Sequence, residues 1–469
     1  MPTVTQDSQD EGRESVPLIS DEPNEFPLDF ETHGLLVEQH RRSSANLSQR
    51  RLSDVEPTGT ISSSCTNIVN TILGAGMLAM PKALASVGLG FGVFMIFFCG
   101  LASGFGLFLL SRVAAEVGRK SSFYACAKIT YPKAALWIDM AIAIKCFGVS
   151  VSYLIICGDL LPQVCRSLYS HELHDKSFLA SKTVWITICT TIITPIAFLR
   201  KLDSLRYTSA FALLGVVYLL VLVVVFFVFP PASGMPYPPV EWKDIVWIKI
   251  DSHFFANLPI FVFAFTCHQN IFSVYNELVD NRPVYIERVI MYSIFIAVTV
   301  YQVIGIVGYL TFGNGVTANV IALYPPGSVV TCGQLAIATL VLLSYPLQCH
   351  PCRASLDRVL TRGAAGSSII PTARFNIMTT AIIILSYVVA ISVDNLATML
   401  SLVGATGSTT IAYILPGLFY YRMKRNTRPQ GVPMESLEYL ALFQASWGVF
   451  VMVTSLATQL LQASGTVLH

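Results

Sequence analysis

Charged side chains are scarce in this sequence: Asp, Glu, Lys and Arg together make up 12% of its 469 residues, whereas 54% are hydrophobic. Soluble domains carry about 25% charged residues, so this deficit indicates a membrane protein. The formal net charge is only +2, and a balance so close to zero gives no support to nucleic-acid binding.

Metal-ligand spacings and catalytic pairs are also missing. The eleven cysteines show no spacing typical of a metal site, and the apolar runs contain no pairing of a nucleophile with a base. We therefore expect no metal, no cofactor and no enzymatic activity. Cys165 and Cys332 fall near the same face of the membrane in the topology below, where an oxidising lumen would permit a disulfide. Two unrelated free thiols are the alternative that we favour.

We expect no signal peptide at the N-terminus, since no apolar core follows a basic start. Residues 1–60 are polar and rich in Ser, Glu, Asp and Pro, which predicts a disordered tail. Two stretches, Glu14–Ile19 and Glu31–Leu36, match the acidic dileucine pattern that sorting adaptors read to deliver membrane proteins to endosomes, lysosomes or vacuoles. Chance matches are the alternative, because acidic residues are common in this segment.

Eleven apolar runs follow the tail, with lengths typical of helices that cross a bilayer. They predict an all-α membrane protein with eleven transmembrane helices in a domain over residues 61–469. The connections between the runs are short and leave no room for a second soluble domain. The predicted spans are residues 61–84, 92–110, 134–161, 184–199, 207–229, 254–275, 289–310, 330–350, 375–393, 396–420 and 440–460.

Basic residues between the spans predict the orientation, because cytosolic connections carry an excess of Lys and Arg. Arg112, Arg200 and Arg353 are among the many basic residues on the tail's side, whereas Lys82 and Lys243 are among the few opposite. We therefore expect a cytosolic N-terminus and, with an odd number of spans, a lumenal C-terminus.

The first predicted span is interrupted. Residues 67–81 read Asn-Ile-Val-Asn-Thr-Ile-Leu-Gly-Ala-Gly-Met-Leu-Ala-Met-Pro, and glycine destabilises a helix by about 1 kcal/mol and proline by about 3 kcal/mol. Backbone groups freed by such a break are tolerated in hydrocarbon only where they line a cavity. Gly74, Ala75 and Gly76 therefore predict a binding site. Close helix packing by small residues is the alternative.

The sixth predicted span contains a second cluster of helix-breaking and polar residues, from Pro259 to Asn270. Spans 1 and 6 are each the first of five, and broken helices at matching positions of two halves indicate the binding site of an inverted-repeat transporter. Freed amides at the first break would hold a carboxylate, and freed carbonyls at the second would accept from an ammonium group. Together they fit an amino acid. The predicted carbonyl acceptors are Phe263, Ala264, Phe265 and Thr266.

Polar side chains beside the breaks are further candidates. Asn70 and Thr71 share one helix face with Asn67 and Gly74, and we place Asn70 and Thr71 in the site, with helix–helix hydrogen bonding as the alternative. His268 and Glu277 are candidates for proton coupling, because histidine titrates near the pH of an acidic lumen. A purely structural histidine is the alternative.

Several charged residues fall in or beside the predicted spans. Asp139 and Asp159 lie near the ends of span 3, where we expect solvation at the interface, whereas Lys145 lies deeper and should snorkel or pair. Arg112 and Glu116 are four residues apart, which predicts a pair on the surface of one helix.

At these motifs the sequence resembles the amino acid/auxin permease family, which includes fungal vacuolar amino acid transporters and sodium-coupled neutral amino acid transporters. The resemblance covers essentially everything after the tail. It implies secondary active amino acid transport by a LeuT-like five-plus-five inverted repeat, with repeats over residues 61–229 and 254–421 and an extra helix over 440–460. The matching stretches are residues 67–81, 267–270, 274–278, 404–408 and 414–417.

The resemblance also bears on the coupling ion. In the sodium-coupled relatives an asparagine in span 1 and a hydroxyl residue in span 8 help to hold the cation, and by motif position these look like Asn70 and Ser344. Because serine replaces the threonine expected at 344, we favour H⁺ over Na⁺. The tail and its dileucine patterns favour the vacuolar or lysosomal membrane, with the plasma membrane as the alternative. We expect proton symport from lumen to cytosol; a proton antiporter that loads the organelle and a transporter-like amino acid sensor are the alternatives.

Overall fold

The computed structural model describes residues 57–169, 178–200, 206–231, 235, 240–251, 254–363, 370–393, 395–429 and 431–464, without the side chains of residues 206–212. Apart from residues 57–60, the predicted tail lies outside these ranges, as do both dileucine patterns. Within the described ranges regular structure is helical, with one isolated β-bridge between Gly59 and Leu278. The predicted all-α membrane class is confirmed.

Fifteen α-helices make up the described part of the chain, and two π-helical segments, Gly404–Ser408 and Thr410–Ile414, connect α13 to α14. The helices are α1 (Ile61–Ile72), α2 (Ala75–Val87), α3 (Leu89–Val117), α4 (Phe123–Thr130), α5 (Ala135–Leu168), α6 (Lys182–Ala197), α7 (Arg206–Val228), α8 (Phe254–Ala264), α9 (Ile271–Glu277), α10 (Pro283–Phe312), α11 (Ser328–Leu360), α12 (Thr372–Ser392), α13 (Leu396–Val403), α14 (Leu415–Thr427) and α15 (Ser436–Ala463).

Within the described residues, eight helical segments are long and apolar enough to cross a membrane, and the bent pair of α1 and α2 makes nine if it counts as one span. Two shorter apolar helices, Lys182–Ala197 and Leu213–Val228, coincide with predicted spans 4 and 5. Every predicted run therefore overlaps a helix. Eleven crossings remain a prediction, because a transmembrane helix takes about 20 residues, α6 has 16, and only Leu213–Val228 of α7 is described with its side chains.

The two broken helices and α5 lie inside the bundle. The most apolar part of the α5 segment is 78% buried and that of the α8–α9 segment 83% buried, compared with 33% for α15. The α5 helix packs along α11 and also contacts α6, α12 and α13. An interior helix buries its whole circumference, whereas an outer helix leaves an apolar face for lipid.

The break in the first span occurs at glycine and not at proline. The α1 helix begins with a capping box between Thr60 and Ser63, and Gly74, with φ −108° and ψ −137°, separates it from α2. The two helices are bent by 51°. Pro81 lies inside the continuous α2 helix, and Pro259 lies inside α8. The expectation that these two prolines contribute to the breaks is therefore wrong.

The structure also corrects two predictions about charged residues. Arg112 pairs with Glu287 of α10 at 2.5 Å, and not with Glu116. Asp139 is fully buried and accepts hydrogen bonds of 2.7 and 2.9 Å from Arg358, so it is paired rather than solvated. In both cases a residue of opposite charge on another helix is close enough to displace the local or solvated arrangement.

Two further predictions agree with the structure. The partial exposure of Asp159 agrees with the expected solvation, although its carboxylate also pairs with Lys182 at 2.9 Å. Cys165 and Cys332 are separate free thiols, one buried and one exposed, as we favoured.

Candidate substrate-binding site

The break in the first span leaves backbone amides open. The amide of Gly74 donates to the carbonyl of Ile72 at 2.8 Å, and the amide of Met77 donates to the carbonyl of Gly74 at 3.2 Å. Among the described residues, no backbone hydrogen bond uses the amides of Ala75 and Gly76. These are the first two residues of α2, where the helix dipole favours negative charge. The arrangement can bind a carboxylate.

The break in the second span lies between α8, which ends at Ala264, and α9. Its carbonyls are largely engaged by the protein itself. The hydroxyl of Thr266 donates to the carbonyl of Val262 at 2.6 Å, and the hydroxyl of Ser103 donates to that of Phe265 at 2.7 Å. The carbonyl of Phe263 accepts from the amide of Thr266 at 3.0 Å. Because each carbonyl can accept two hydrogen bonds, a role of this segment in binding an ammonium group stays a prediction.

Tyr301 of α10 joins the two breaks. Its hydroxyl oxygen lies 2.6 Å from the carbonyl oxygen of Ile72 and 2.9 Å from that of Ala264, which are the last residues of α1 and α8. The side chain is fully buried, and its ring packs edge-on against Phe265 with centroids 5.0 Å apart. Our sequence analysis missed Tyr301. The available signal was a hydroxyl inside an otherwise apolar run, which in a membrane indicates interhelical hydrogen bonding.

Asn270 connects the second break to the polar face of α1. Its Nδ2 donates to Oγ1 of Thr71 at 2.5 Å and to Oδ1 of Asn67 at 3.2 Å. The hydroxyl of Thr71 in turn donates to the backbone carbonyl of Asn67 at 2.9 Å. Two of the polar residues that the helical periodicity places on one face are therefore held by a side chain from span 6. Asn70 makes no side-chain hydrogen bond to any described residue.

This polar face of α1 is accessible, whereas the other side of the helix is closed. Asn67, Asn70, Thr71 and Gly74 are each partly exposed, as are Gln269 and Asn270 of the second break. The intervening residues of the first span are buried: Ile68, Val69, Ile72 and Leu73. A polar, accessible stripe that reaches both breaks is suited to a small polar solute.

The two glycines of the first break have different surroundings. A Cβ atom on Gly76 would lie 2.8 Å from Cα and Cβ of Ala264, so Gly76 allows α2 and α8 to cross at close range. A Cβ atom on Gly74 would have only the hydroxyl of Tyr153 nearby, at 3.6 Å. Close helix packing therefore explains the glycine at position 76, whereas Gly74 borders open space.

The predicted coupling residues are dispersed. His268 is fully buried, with its Nε2 3.2 Å from the carbonyl oxygen of Ser103, whereas Glu277 is exposed at the end of α9. The hydroxyl of Ser344 donates to the carbonyl of Leu340 in its own helix at 2.8 Å. No hydrogen bond in the described ranges joins Ser344 to Asn70. Within the same ranges there is no group of three or more His, Cys, Asp or Glu residues that could hold a metal ion.

Helices broken in their middle, joined to each other and lined by polar residues define a membrane transporter. The chain belongs to the family described as transmembrane amino acid transporter protein, whose model matches residues 57–461. The predicted resemblance is thereby confirmed, and with it the expectation of a transporter and not an enzyme.

Several curated proteins are similar over most of their length. Vacuolar amino acid transporter 6 of Saccharomyces cerevisiae is 37% identical over 450 residues, which cover 86% of this chain and 99% of that protein. Vacuolar amino acid transporter 5 of Schizosaccharomyces pombe is 40% identical over 372 residues, or 76% of this chain and 83% of that protein. Vacuolar amino acid transporter 5 of S. cerevisiae is 38% identical over 450 residues, which cover 85% of this chain and 97% of that protein.

Proposed function

We propose that the protein is a secondary active transporter that moves amino acids across the vacuolar membrane, from lumen to cytosol, by proton symport. The vacuolar setting is supported by the names of the similar fungal proteins. The observation that carries the proposal is the pair of open amides at Ala75 and Gly76 beside an accessible polar face. Open amides at a helix break supply an anion site without a fixed positive charge, as a carboxylate-bearing solute requires.

In this proposal the substrate lies across the two breaks. Its carboxylate accepts from the amides around Gly74 to Gly76, and its ammonium group donates to the second lone pairs of carbonyls in residues 263–266. Asn70 and Thr71 line the same face and contact the substrate or its coupled cation. The side chain of the amino acid then points toward the space beside Tyr153, where Gly74 leaves room.

Alternating access follows from the coupling of the two breaks. The spans around α1–α2 and α8–α9 rock against a scaffold that includes α5 and α11, as in other transporters built from two five-helix repeats. The N-terminus is cytosolic and the C-terminus lumenal in this topology. Protons drive the cycle, and the candidate coupling residues from the sequence are Asn70, Ser344, His268 and Glu277. Separately, the tail directs sorting of the protein through an adaptor.

Flux measurements in proteoliposomes test this function. The purified protein is assayed with a panel of labelled amino acids under an imposed proton gradient, an imposed sodium gradient, or neither. Symport predicts accumulation when the outside is the more acidic compartment, whereas antiport predicts accumulation when the inside is more acidic. Binding of an amino acid without flux under any gradient would identify a sensor and contradict the transporter.

A further inference from the structure

Lys145 is a buried basic side chain that forms no ion pair with the described residues. It lies inside α5, about two helical turns before Tyr153, and is 3% exposed. No described carboxylate forms an ion pair with it, since the acidic residue nearest to it in α5, Asp139, is held by Arg358. A charge inside a membrane protein is costly, and it is found where it pairs or takes part in transport. Lys145 neither snorkels nor pairs, contrary to expectation.

The position of Lys145 places it against a segment with irregular backbone. A Cβ atom on Gly407, in the first π-helical segment, would lie 2.6 Å from Cβ and 2.9 Å from Cα of Lys145, so the two backbones are in close contact. Irregular helix turns often mark functional positions.

Several buried polar atoms in the break of span 6 and beside Gly407 lack a described partner. They are Nδ1 of His268, both side-chain polar atoms of Gln269, and Oγ of Ser408, which follows Gly407. Buried polar groups are nearly always hydrogen-bonded, and an unsatisfied group indicates a water or ion. The unsatisfied Oγ of Ser408, next to the residue that Lys145 contacts, indicates a polar compartment beside the lysine, from which water can supply a proton.

We propose that Lys145 is the site that binds the coupled proton. The inference rests on the proton-driven transport proposed above. When the compartment is open to the lumen, the neutral amine accepts a proton from water and becomes an ammonium group. When the compartment opens to the cytosol, the same N–H bond breaks and the proton passes to water on that side. Contact with Gly407 lets this charge act on the irregular segment between α13 and α14.

The two coupling candidates from the sequence are less suited to this role. Nε2 of His268 is engaged with the carbonyl of Ser103, and Glu277 is exposed at the end of α9. Titratable groups lie on its own helix at Cys146, on the broken span at Cys267 and His268, and on α11 at Cys349 and Cys352. The thiol of Cys352 donates to the carbonyl of Ala143, two residues before Lys145, at 3.4 Å.

The test compares Lys145→Met and Lys145→Arg with the wild-type protein in proteoliposomes that contain a pH-sensitive dye. Wild-type protein should carry protons with the amino acid, and its transport rate should depend on the pH of the outer solution. Both variants should lose proton movement at least tenfold and show a flat pH profile, because methionine binds no proton and arginine does not release one. Lys133→Met is the matched control, since Lys133 is exposed just before α5, and it should behave as wild type.

Arginine has a similar volume and the same charge as lysine, so Lys145→Arg still tests proton binding if Lys145→Met does not fold. Wild-type proton movement and a wild-type pH profile in either folded variant would overturn the assignment to Lys145 alone. If the wild-type protein itself moves amino acids without protons, the proposed proton coupling is wrong and the assignment fails with it. The two failures are therefore distinguishable.

Discussion

The hydroxyl oxygen of Tyr301 lies 2.6 Å from the carbonyl oxygen of Ile72, the last residue before the break in the first span. The same hydroxyl lies 2.9 Å from the carbonyl oxygen of Ala264, the last residue before the break in the sixth. One hydrogen atom is therefore shared between the ends of two half-helices. This contact is the most direct link between the breaks, and it makes their positions depend on each other.

Replacing Tyr301 with Phe should slow transport while the fold is kept. The ring still packs against Phe265, and the loss of one shared hydrogen bond lowers stability by about 0.5–1.5 kcal/mol. Thermal unfolding in detergent and initial rates of uptake measure the two effects. Tyr309→Phe is the control, because its hydroxyl lies two turns further along α10 and accepts from the amide of Val246 instead. Equal transport in the two variants would show that the bridge has no role in the cycle.

Substitutions at the two glycines should separate binding from packing. Gly74→Val should abolish transport but leave expression and sorting intact, because the new side chain enters the open space at the break. Gly76→Ala should instead lower stability by about 1–3 kcal/mol, since its Cβ atom would lie 2.8 Å from Ala264 and overpack the helix crossing. Uptake assays and thermal unfolding are made on both proteins. Normal transport kinetics in Gly74→Val would mean that this break is only a packing device.

Asn270→Ala should weaken transport without loss of the protein. It removes the donor shared by Asn67 and Thr71, and a lost contribution of about 1.4 kcal/mol corresponds to a tenfold change in affinity. The concentration of substrate that gives half-maximal uptake should therefore rise about tenfold. Asn426→Ala removes a comparable amide at an exposed position and should not alter uptake. An unchanged half-maximal concentration in Asn270→Ala would exclude this residue from organising the site.

Asp139→Asn should destabilise the protein more than the loss of any exposed ion pair does. Asp139 is fully buried and Arg358 partly exposed, so the loss should be near the low end of the 3–5 kcal/mol found for broken buried pairs, about 3 kcal/mol. A drop in the midpoint of thermal unfolding measures it. Asp280→Asn is the control, since its pair with Arg282 is exposed and should leave the midpoint unchanged. A wild-type midpoint in Asp139→Asn would show that water replaces the partner.

Composition and local propensity were sufficient for the class of protein and for the positions of the breaks. A low content of charged residues indicates that a chain folds in a membrane, and this inference requires no knowledge of the contacts between residues. The interruptions near Gly74 and near Cys267 follow from residues that weaken a helix or bind their own backbone. The motif at residues 67–81 was specific enough to indicate the family. These properties are local, so a single sequence determines them.

Only the tertiary structure decided which residues meet. Tyr301 and Ile72 are 229 positions apart, and Asn270 and Thr71 are 199 apart; no local pattern relates them. For the same reason Arg112 pairs with a neighbouring helix, and Lys145 lies beside Gly407 without a described partner. Pairings between helices depend on which faces pack together, and packing is determined by the whole bundle. The sequence therefore located the break at Gly74, and the fold alone showed what joins it to its counterpart.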